Sequence, residues 1–171
     1  MSHFLYKNKN LFCENVDVRD IAQKYGTPSY VYSKKTLEEN FESYFNAFEK
    51  NQGLICFSVK SLSNISVLKL LNKKGSGFDI VSGGELERAI HAGADPKKII
   101  FTGIAKSNEE ITAGIKKNIL AFNIESEAEM YRIEKLATAE NKVVDVAIRF
   151  NPEIDSGGHE YIKTGRKKDK F

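Results

Sequence analysis

The chain has 171 residues, 41% hydrophobic and 29% charged, with three prolines and a net charge of +3 from 26 basic and 23 acidic side chains. That length and balance suit one globular domain and give no basic excess of the kind that grips nucleic acid. No run approaches the roughly 18–20 consecutive apolar residues of a membrane span, and Met1–Asn10 has no apolar signal core, so the expected location is the cytoplasm, with no membrane partner. Lys163–Lys170 is locally basic and reads as a solvated loop. Cys13 and Cys56, the only cysteines, support neither a disulfide framework nor a zinc site; they read as small hydrophobes, and no metal is expected.

Taken from the N-terminus, Val16–Tyr25 reads as a helix closed by Gly26; Thr27 and Pro28 turn the chain, and Ser29–Tyr32 reads as a short strand. From Leu54 onward the chain repeats. Apolar runs recur at Leu54–Val59, Gly77–Val81, Ile99–Thr102, Ile119–Ile124 and Val143–Phe150, each except the last followed by a helix-like segment, the alternation βαβαβαβαβ. Ile65, Leu68 and Leu71 share a helical face before Lys73, Lys74 and Gly75 stop it. Three later helices each open with a serine and a glutamate three apart, at Ser82 and Glu85, Ser107 and Glu110, and Ser126 and Glu129, the capping-box spacing. Strand starts lie about 20–24 residues apart, which suits parallel neighbours joined by right-handed helical crossovers.

An open doubly wound sheet and part of a (β/α)8 barrel both fit. The barrel is preferred, because Gly75-Ser76-Gly77 precedes a strand and Gly83-Gly84 lacks the third glycine of a dinucleotide fingerprint. A barrel of about 250 residues needs eight units. This chain has room for about five and reads as the amino-terminal part of a longer protein. The strand at Ser29–Tyr32 has no place inside the barrel, so residues 1–35 are expected to form a separate N-terminal segment and residues 36–171 the truncated barrel.

The most informative stretch is Leu54–Lys60, Leu-Ile-Cys-Phe-Ser-Val-Lys, which sets one lysine at the carboxyl end of an apolar strand. In α/β proteins the loops converge at that end and active sites gather there. A lysine held in apolar surroundings tends toward the neutral, nucleophilic amine that Schiff-base chemistry with an aldehyde requires. The competing reading is a strand-end lysine that reaches out to water.

Gly26-Thr27-Pro28-Ser-Tyr30-Val31-Tyr32, Phe57-Ser-Val59-Lys60, Gly77-Phe78-Asp79-Ile-Val-Ser82-Gly83-Gly84-Glu85-Leu86 and Phe101-Thr102-Gly103 follow, in order, the pattern of one family. The match continues through Phe122-Asn123-Ile-Glu125-Ser126, Arg149-Phe-Asn151-Pro152 and His159-Glu-Tyr161-Ile162-Lys-Thr164-Gly165. Across essentially its whole length the chain resembles the amino-terminal part of diaminopimelate decarboxylases, members of the alanine-racemase-like, fold type III enzymes that use pyridoxal 5'-phosphate (PLP). The resemblance implies decarboxylation of meso-diaminopimelate to L-lysine, the last step of lysine biosynthesis, in a homodimer acting on a small amino acid. It implies Lys60 as the Schiff-base lysine, with Asp79, Arg149 and His159 beside the cofactor. It also implies that the N-terminal segment belongs to a β-domain.

Each assignment has a plainer counterpart: a structural bridge for Asp79, a strand-end salt bridge for Arg149, and a solvated loop histidine for His159. The chain departs from the family pattern at Ser61-Leu62, where Ala-Asn is common, at Lys163 in place of a serine, and at Glu160 in place of a proline. Leu62 is expected to remove a polar group near Lys60. The alternatives are an ornithine- or arginine-type decarboxylase, an inactive truncated remnant, or a PLP-binding module without turnover. The 171 residues alone are expected to be inactive, because the phosphate loop and the dimer's contribution would lie beyond Phe171.

Overall fold

A polar two-residue link between short apolar-polar runs opens the chain. Phe4–Lys7 (β1) and Asn10–Cys13 (β2) pair antiparallel across Asn8 and Lys9, whose φ angles of 49° and 67° give the turn that matches strand twist. Sequence reasoning missed this hairpin, since Asn-Lys is a weaker turn signal than Asn-Gly. The computed structural model describes residues 3–48, 53–154, 157 and 159.

Val16–Asp17 (β3) extends the hairpin to three strands, so the helix expected from Val16 starts two residues later, at Val18–Tyr25 (α1). Asp17 ends the strand and caps the helix, its carboxylate accepting from the Arg19 backbone N–H at 2.9 Å. The strand expected at Ser29–Tyr32 does not form among the described residues. Tyr30 is 91% exposed, and the segment's β-forming side chains find no sheet edge to join. The chain proceeds instead to Lys34–Phe48 (α2), tied to the hairpin by Glu14, whose carboxylate accepts from the Ser33 hydroxyl at 2.8 Å and the Lys35 N–H at 2.9 Å.

The repeat then runs Cys56–Ser58 (β4), Ile65–Lys73 (α3), Gly77–Ile80 (β5), Gly83–His91 (α4), Ile99–Phe101 (β6), Asn108–Lys117 (α5), Ala121–Ile124 (β7), Glu127–Ala139 (α6) and Val146–Ile148 (β8). All five strands are parallel and lie in chain order, with β4 and β8 at the edges. A doubly wound sheet would reverse its order at a switch point. This one keeps a single direction, as a barrel wall does, and remains open. The last apolar run contributes only Val146–Ile148, and Val143 is fully exposed.

Register assigns each strand residue to a face. Phe57, Phe78, Ile99 and Ile80, Phe101, Phe122, Val146 stand opposite one another across the wall and point toward the helices. Phe78, Ile80, Ile99, Phe101 and Phe122 are almost wholly buried there with Leu86, Ile111, Ile115 and Ile133, and the Phe101 and Phe122 rings stack at 6.0 Å. The other face carries Ser58, Asp79, Ile100, Ala121 and Asn123.

The three expected helix starts are correct, with one refinement. Ser82, Ser107 and Ser126 each accept from the N–H three residues on. Only Glu110 completes the box by accepting from its own serine's N–H; Glu85 and Glu129 reach one residue further back, to the Val81 and Glu125 N–H groups.

Two packing details are fixed tightly enough to test. A Cβ on Gly77 would lie 2.5 Å from the Lys98 carbonyl oxygen and 2.7 Å from Cys56 Sγ, so no side chain fits between β5 and its neighbours. Lys106, 2% exposed, is saturated. Its amine donates to the Gly103 carbonyl at 2.5 Å, the Asn123 carbonyl at 2.9 Å and Glu129 Oε1 at 2.6 Å, which uses all three of its N–H groups.

Gly77→Ala is expected to cost about 1–3 kcal/mol by overpacking, read as a lower urea midpoint; an unchanged midpoint would contradict the tight contact. Lys106→Met leaves Glu129 buried without its cation and is expected to cost about 3–5 kcal/mol. A loss below about 1 kcal/mol, the range of exposed pairs, would mean that the ion pair is not buried in solution.

Candidate functional site

Parallel strands in chain order bring the carboxyl ends of β4–β8, and every loop that leaves them, to one rim. The polar residues of the inner face meet beneath it. Asp79, in the middle of β5, accepts from the Ser58 hydroxyl at 3.1 Å through one oxygen and from the Thr102 hydroxyl at 2.5 Å through the other. Asn123 on β7 donates its amide to the Thr102 hydroxyl at 2.9 Å. Side chains on or just beyond four adjacent strands thus form one directed chain, Asn123 to Thr102 to Asp79, with Ser58 closing the far side.

Cys56 shares this face. Burial first, and then the charge of Asp79, push its thiol above its ordinary range, while burial and the neighbouring Glu14 do the same for Cys13. Both cysteines are free, consistent with small packing residues.

Lys60 is not the last residue of a strand. β4 ends at Ser58, and Val59–Ser61 forms a single 3-10 turn, closed by the Leu62 N–H on the Val59 carbonyl at 3.1 Å and by the Ser61 hydroxyl on the Ser58 carbonyl at 2.6 Å. Val59 is fully buried and anchors the turn, whereas Lys60 is exposed and has no hydrogen-bond or ion-pair partner among the described residues. The apolar surroundings expected for it are absent from that set. With Val59 turned into the core, its neighbour Lys60 is exposed to solvent just beyond the carboxyl end of β4. Leu62 packs instead against the small core cluster of Phe41, Val67 and Leu71. The departure at Leu62 therefore concerns packing beneath α2 and α3, contrary to the expectation that it strips polarity from the lysine's surroundings.

The loops are laced together by carboxylates that accept from glycine N–H groups. Glu110 Oε1 holds the Gly83 N–H at 2.7 Å, and Glu125 Oε1 holds the Gly103 N–H at 3.3 Å. Arg149 follows β8 directly; its backbone N–H donates to the Ile124 carbonyl at 2.9 Å, and its guanidinium lies 3.4 Å from Glu125. The salt-bridge reading of Arg149 and the structural-bridge reading of Asp79 each describe a contact that exists. His159 is exposed beyond β8. The motif that follows it, Tyr161–Gly165, and the basic run Lys163–Lys170 lie outside the described residues, as do Glu160 and Lys163.

Of the residues singled out in the sequence, Asp79 lies in the hydrogen-bonded chain with Ser58, Thr102 and Asn123, Arg149 contacts Glu125 beyond β8, and Lys60 is exposed on the turn after β4. Sequence reasoning missed Ser58, Thr102 and Asn123 as partners of Asp79, although all three stood in the quoted motifs. It also missed Lys106, whose setting in Gly-Ile-Ala-Lys gives no signal that distinguishes it from a solvated lysine, and it read Glu125 as part of a motif and Glu129 as a cap only. Among the described residues no group of three or more His, Cys, Asp or Glu could hold a metal ion, and no helix is long and apolar enough to cross a membrane.

The profile of the pyridoxal-dependent decarboxylases, in its pyridoxal-binding domain, matches residues 34–171. The chain is 46% identical over 171 residues to the diaminopimelate decarboxylase of Haemophilus influenzae, covering all of this chain and 41% of that protein. Its fold matches the crystal structure of diaminopimelate decarboxylase from Helicobacter pylori complexed with L-lysine, with a TM-score of 0.87 and 41% identity over 90% of this chain and 39% of that one. It also matches the diaminopimelate decarboxylase of M. jannaschi, with a TM-score of 0.89 and 36% identity over 99% of this chain and 40% of that one. The chain spans about two-fifths of the length of these relatives. A five-stranded parallel wall in chain order and a matching profile over residues 34–171 lead to one conclusion: the chain belongs to the pyridoxal-dependent decarboxylases, as part of their pyridoxal-binding domain.

Proposed function

We propose that this chain is part of a diaminopimelate decarboxylase that uses PLP to convert meso-diaminopimelate to L-lysine and carbon dioxide. The observation that carries this reading is Lys60: a primary amine exposed on a turn anchored by buried Val59, directly after the strand whose Ser58 bonds Asp79. The identities of 46% and 41% to relatives of that name support diaminopimelate over ornithine or arginine as substrate.

The residues present fit the cofactor's needs. An amine suits its aldehyde, and a guanidinium suits a phenolate or carboxylate oxygen. When bound, PLP supplies the electron sink for the pair left by the departing carboxylate. The chain's own contribution is positional. Lys60 would hold the cofactor through its Nζ, and the same amine would be placed to carry a proton. Asp79, whose two oxygens accept from the Ser58 and Thr102 hydroxyls, would present a side chain held in one direction on the inner face. Arg149 offers planar donors from the β8 side, and His159 contributes from the segment beyond it.

The match of the profile from residue 34 supports treating residues 1–35, with their own three-stranded sheet, as part of a separate β-domain. The homodimer is carried over from the family likeness.

The test is L-lysine formation from meso-diaminopimelate by the longest reading frame that encodes this sequence, with ornithine and arginine as competing substrates. Lysine formation is expected to be the preferred reaction and to fall at least about a thousand-fold in Lys60→Ala, the scale seen when a covalent catalytic group is removed. Preference for ornithine or arginine, PLP binding without turnover, or an unaffected Lys60→Ala variant would overturn the reading.

A further inference from the structure

Asn123 on β7 and Asp79 on β5 both face the inner side of the wall, but β6 runs between them. Neighbouring strands lie about 4.8 Å apart, so these two side chains start roughly 10 Å from each other and need an intermediary. Thr102, one step past the Phe101–Phe122 pair, supplies it. The Asn123 amide donates to its hydroxyl at 2.9 Å, and that hydroxyl donates to Asp79 Oδ1, while Ser58 holds the other oxygen at 3.1 Å.

Hydrogen-bond chemistry makes this chain run one way. A threonine hydroxyl has a single proton, a carboxylate accepts only, and an amide NH2 donates only. With the Asn123 NH2 on a lone pair of Thr102, the proton of that hydroxyl is left for Asp79. With the amide turned over, Asn123 Oδ1 and Asp79 would compete for one proton, and one oxygen on this half-buried face would lose its donor.

The main chain around the junction is held independently. The Lys106 ammonium donates to the carbonyl of Asn123 at 2.9 Å and to that of Gly103, the residue after Thr102, at 2.5 Å. One buried cation, itself fixed by Glu129, therefore clamps β7 to the exit of β6 where the two side chains meet. A pair of apolar side chains at 102 and 123 would fill the same space, since hydrogen-bonded partners replaced together cost little. Such a pair could not aim a carboxylate.

We propose that Asn123 is a positioning residue: acting through the Thr102 hydroxyl, it sets the direction in which Asp79 presents its carboxylate to the cofactor. This rests on the reading of Asp79 given under Proposed function. A side chain orients a ligand-binding neighbour only as well as it is itself held, and the Lys106 clamp provides that hold.

The test is a double-mutant cycle on the PLP dissociation constant, measured from the absorbance of the bound cofactor in the longest reading frame that encodes this sequence, with Asn123→Ala, Thr102→Val and the double variant. Thermal melting without PLP checks that each variant folds; if Asn123→Ala does not, Asn123→Val, which suits a strand and cannot donate, takes its place. Asn123→Ala is expected to weaken PLP binding about ten-fold, the lower end of what outer partners of ligating residues are worth, and to have no further effect in the Thr102→Val background. Thr102→Ser, which keeps the hydroxyl, is expected to keep both the parent's affinity and its sensitivity to Asn123→Ala. Independent, multiplying effects, a Thr102→Ser variant without that sensitivity, or an Asn123→Ala variant that binds PLP as tightly as the parent would overturn the proposal while leaving the site assignment intact. Failure of the parent to bind PLP, or an Asp79→Ala variant that binds it as tightly as the parent, would overturn both.

Discussion

Parallel pairing in chain order is the constraint on which the rest of this molecule depends. Once β4 to β8 run the same way and follow one another across the sheet, every loop leaving a strand emerges at the same rim, and every alternate side chain faces the same side. Residues far apart in sequence then become neighbours without any special device. Asp79, Thr102 and Asn123 meet because their strands are adjacent, and Arg149 reaches Glu125 because β8 lies beside β7.

The two faces of the wall have opposite physical tasks. Phe78, Ile80, Phe101 and Phe122 bury against the helices and fix the spacing of the strands, which leaves the inner face free to carry polar groups whose positions the packing already determines. Those polar groups are satisfied mostly by one another. Asp79 has a hydroxyl on each oxygen and Lys106 an acceptor for each N–H, so the directions of the charges near the rim are set before any ligand arrives. Lys60 differs from both. It sits on a turn whose rigidity comes from Val59 and from the Ser61 hydroxyl, while its own amine is uncommitted among the described residues. Lys106 is buried with three acceptors, whereas Lys60, forty-six positions earlier, is exposed.

Most of the repeat was legible in the sequence because its signals are local and periodic: alternation within each apolar run, a serine at each helix start, and glycine or basic residues at the ends. What was not legible depends on partners distant in the chain. Ser29–Tyr32 has strand-like residues but no edge to pair with, and the Asn8–Lys9 hairpin forms without the turn sequence that would announce it. Lys106 reads as a surface residue until β7 and α6 supply its acceptors. The apolar enclosure expected for Lys60 was not legible correctly either, because the strand ends at Ser58 and a 3-10 turn exposes the lysine instead.

Lys60 and Lys106 differ most in which of them can take the aldehyde of PLP. Incubating the protein with PLP, reducing with borohydride and mapping the fixed pyridoxyl mass by peptide mass spectrometry tests this directly. The prediction is saturable labelling confined to Lys60, with Lys106 unlabelled because its amine is buried and committed to three acceptors. Labelling of Lys106, labelling spread over the surface lysines, or no label at all would contradict it.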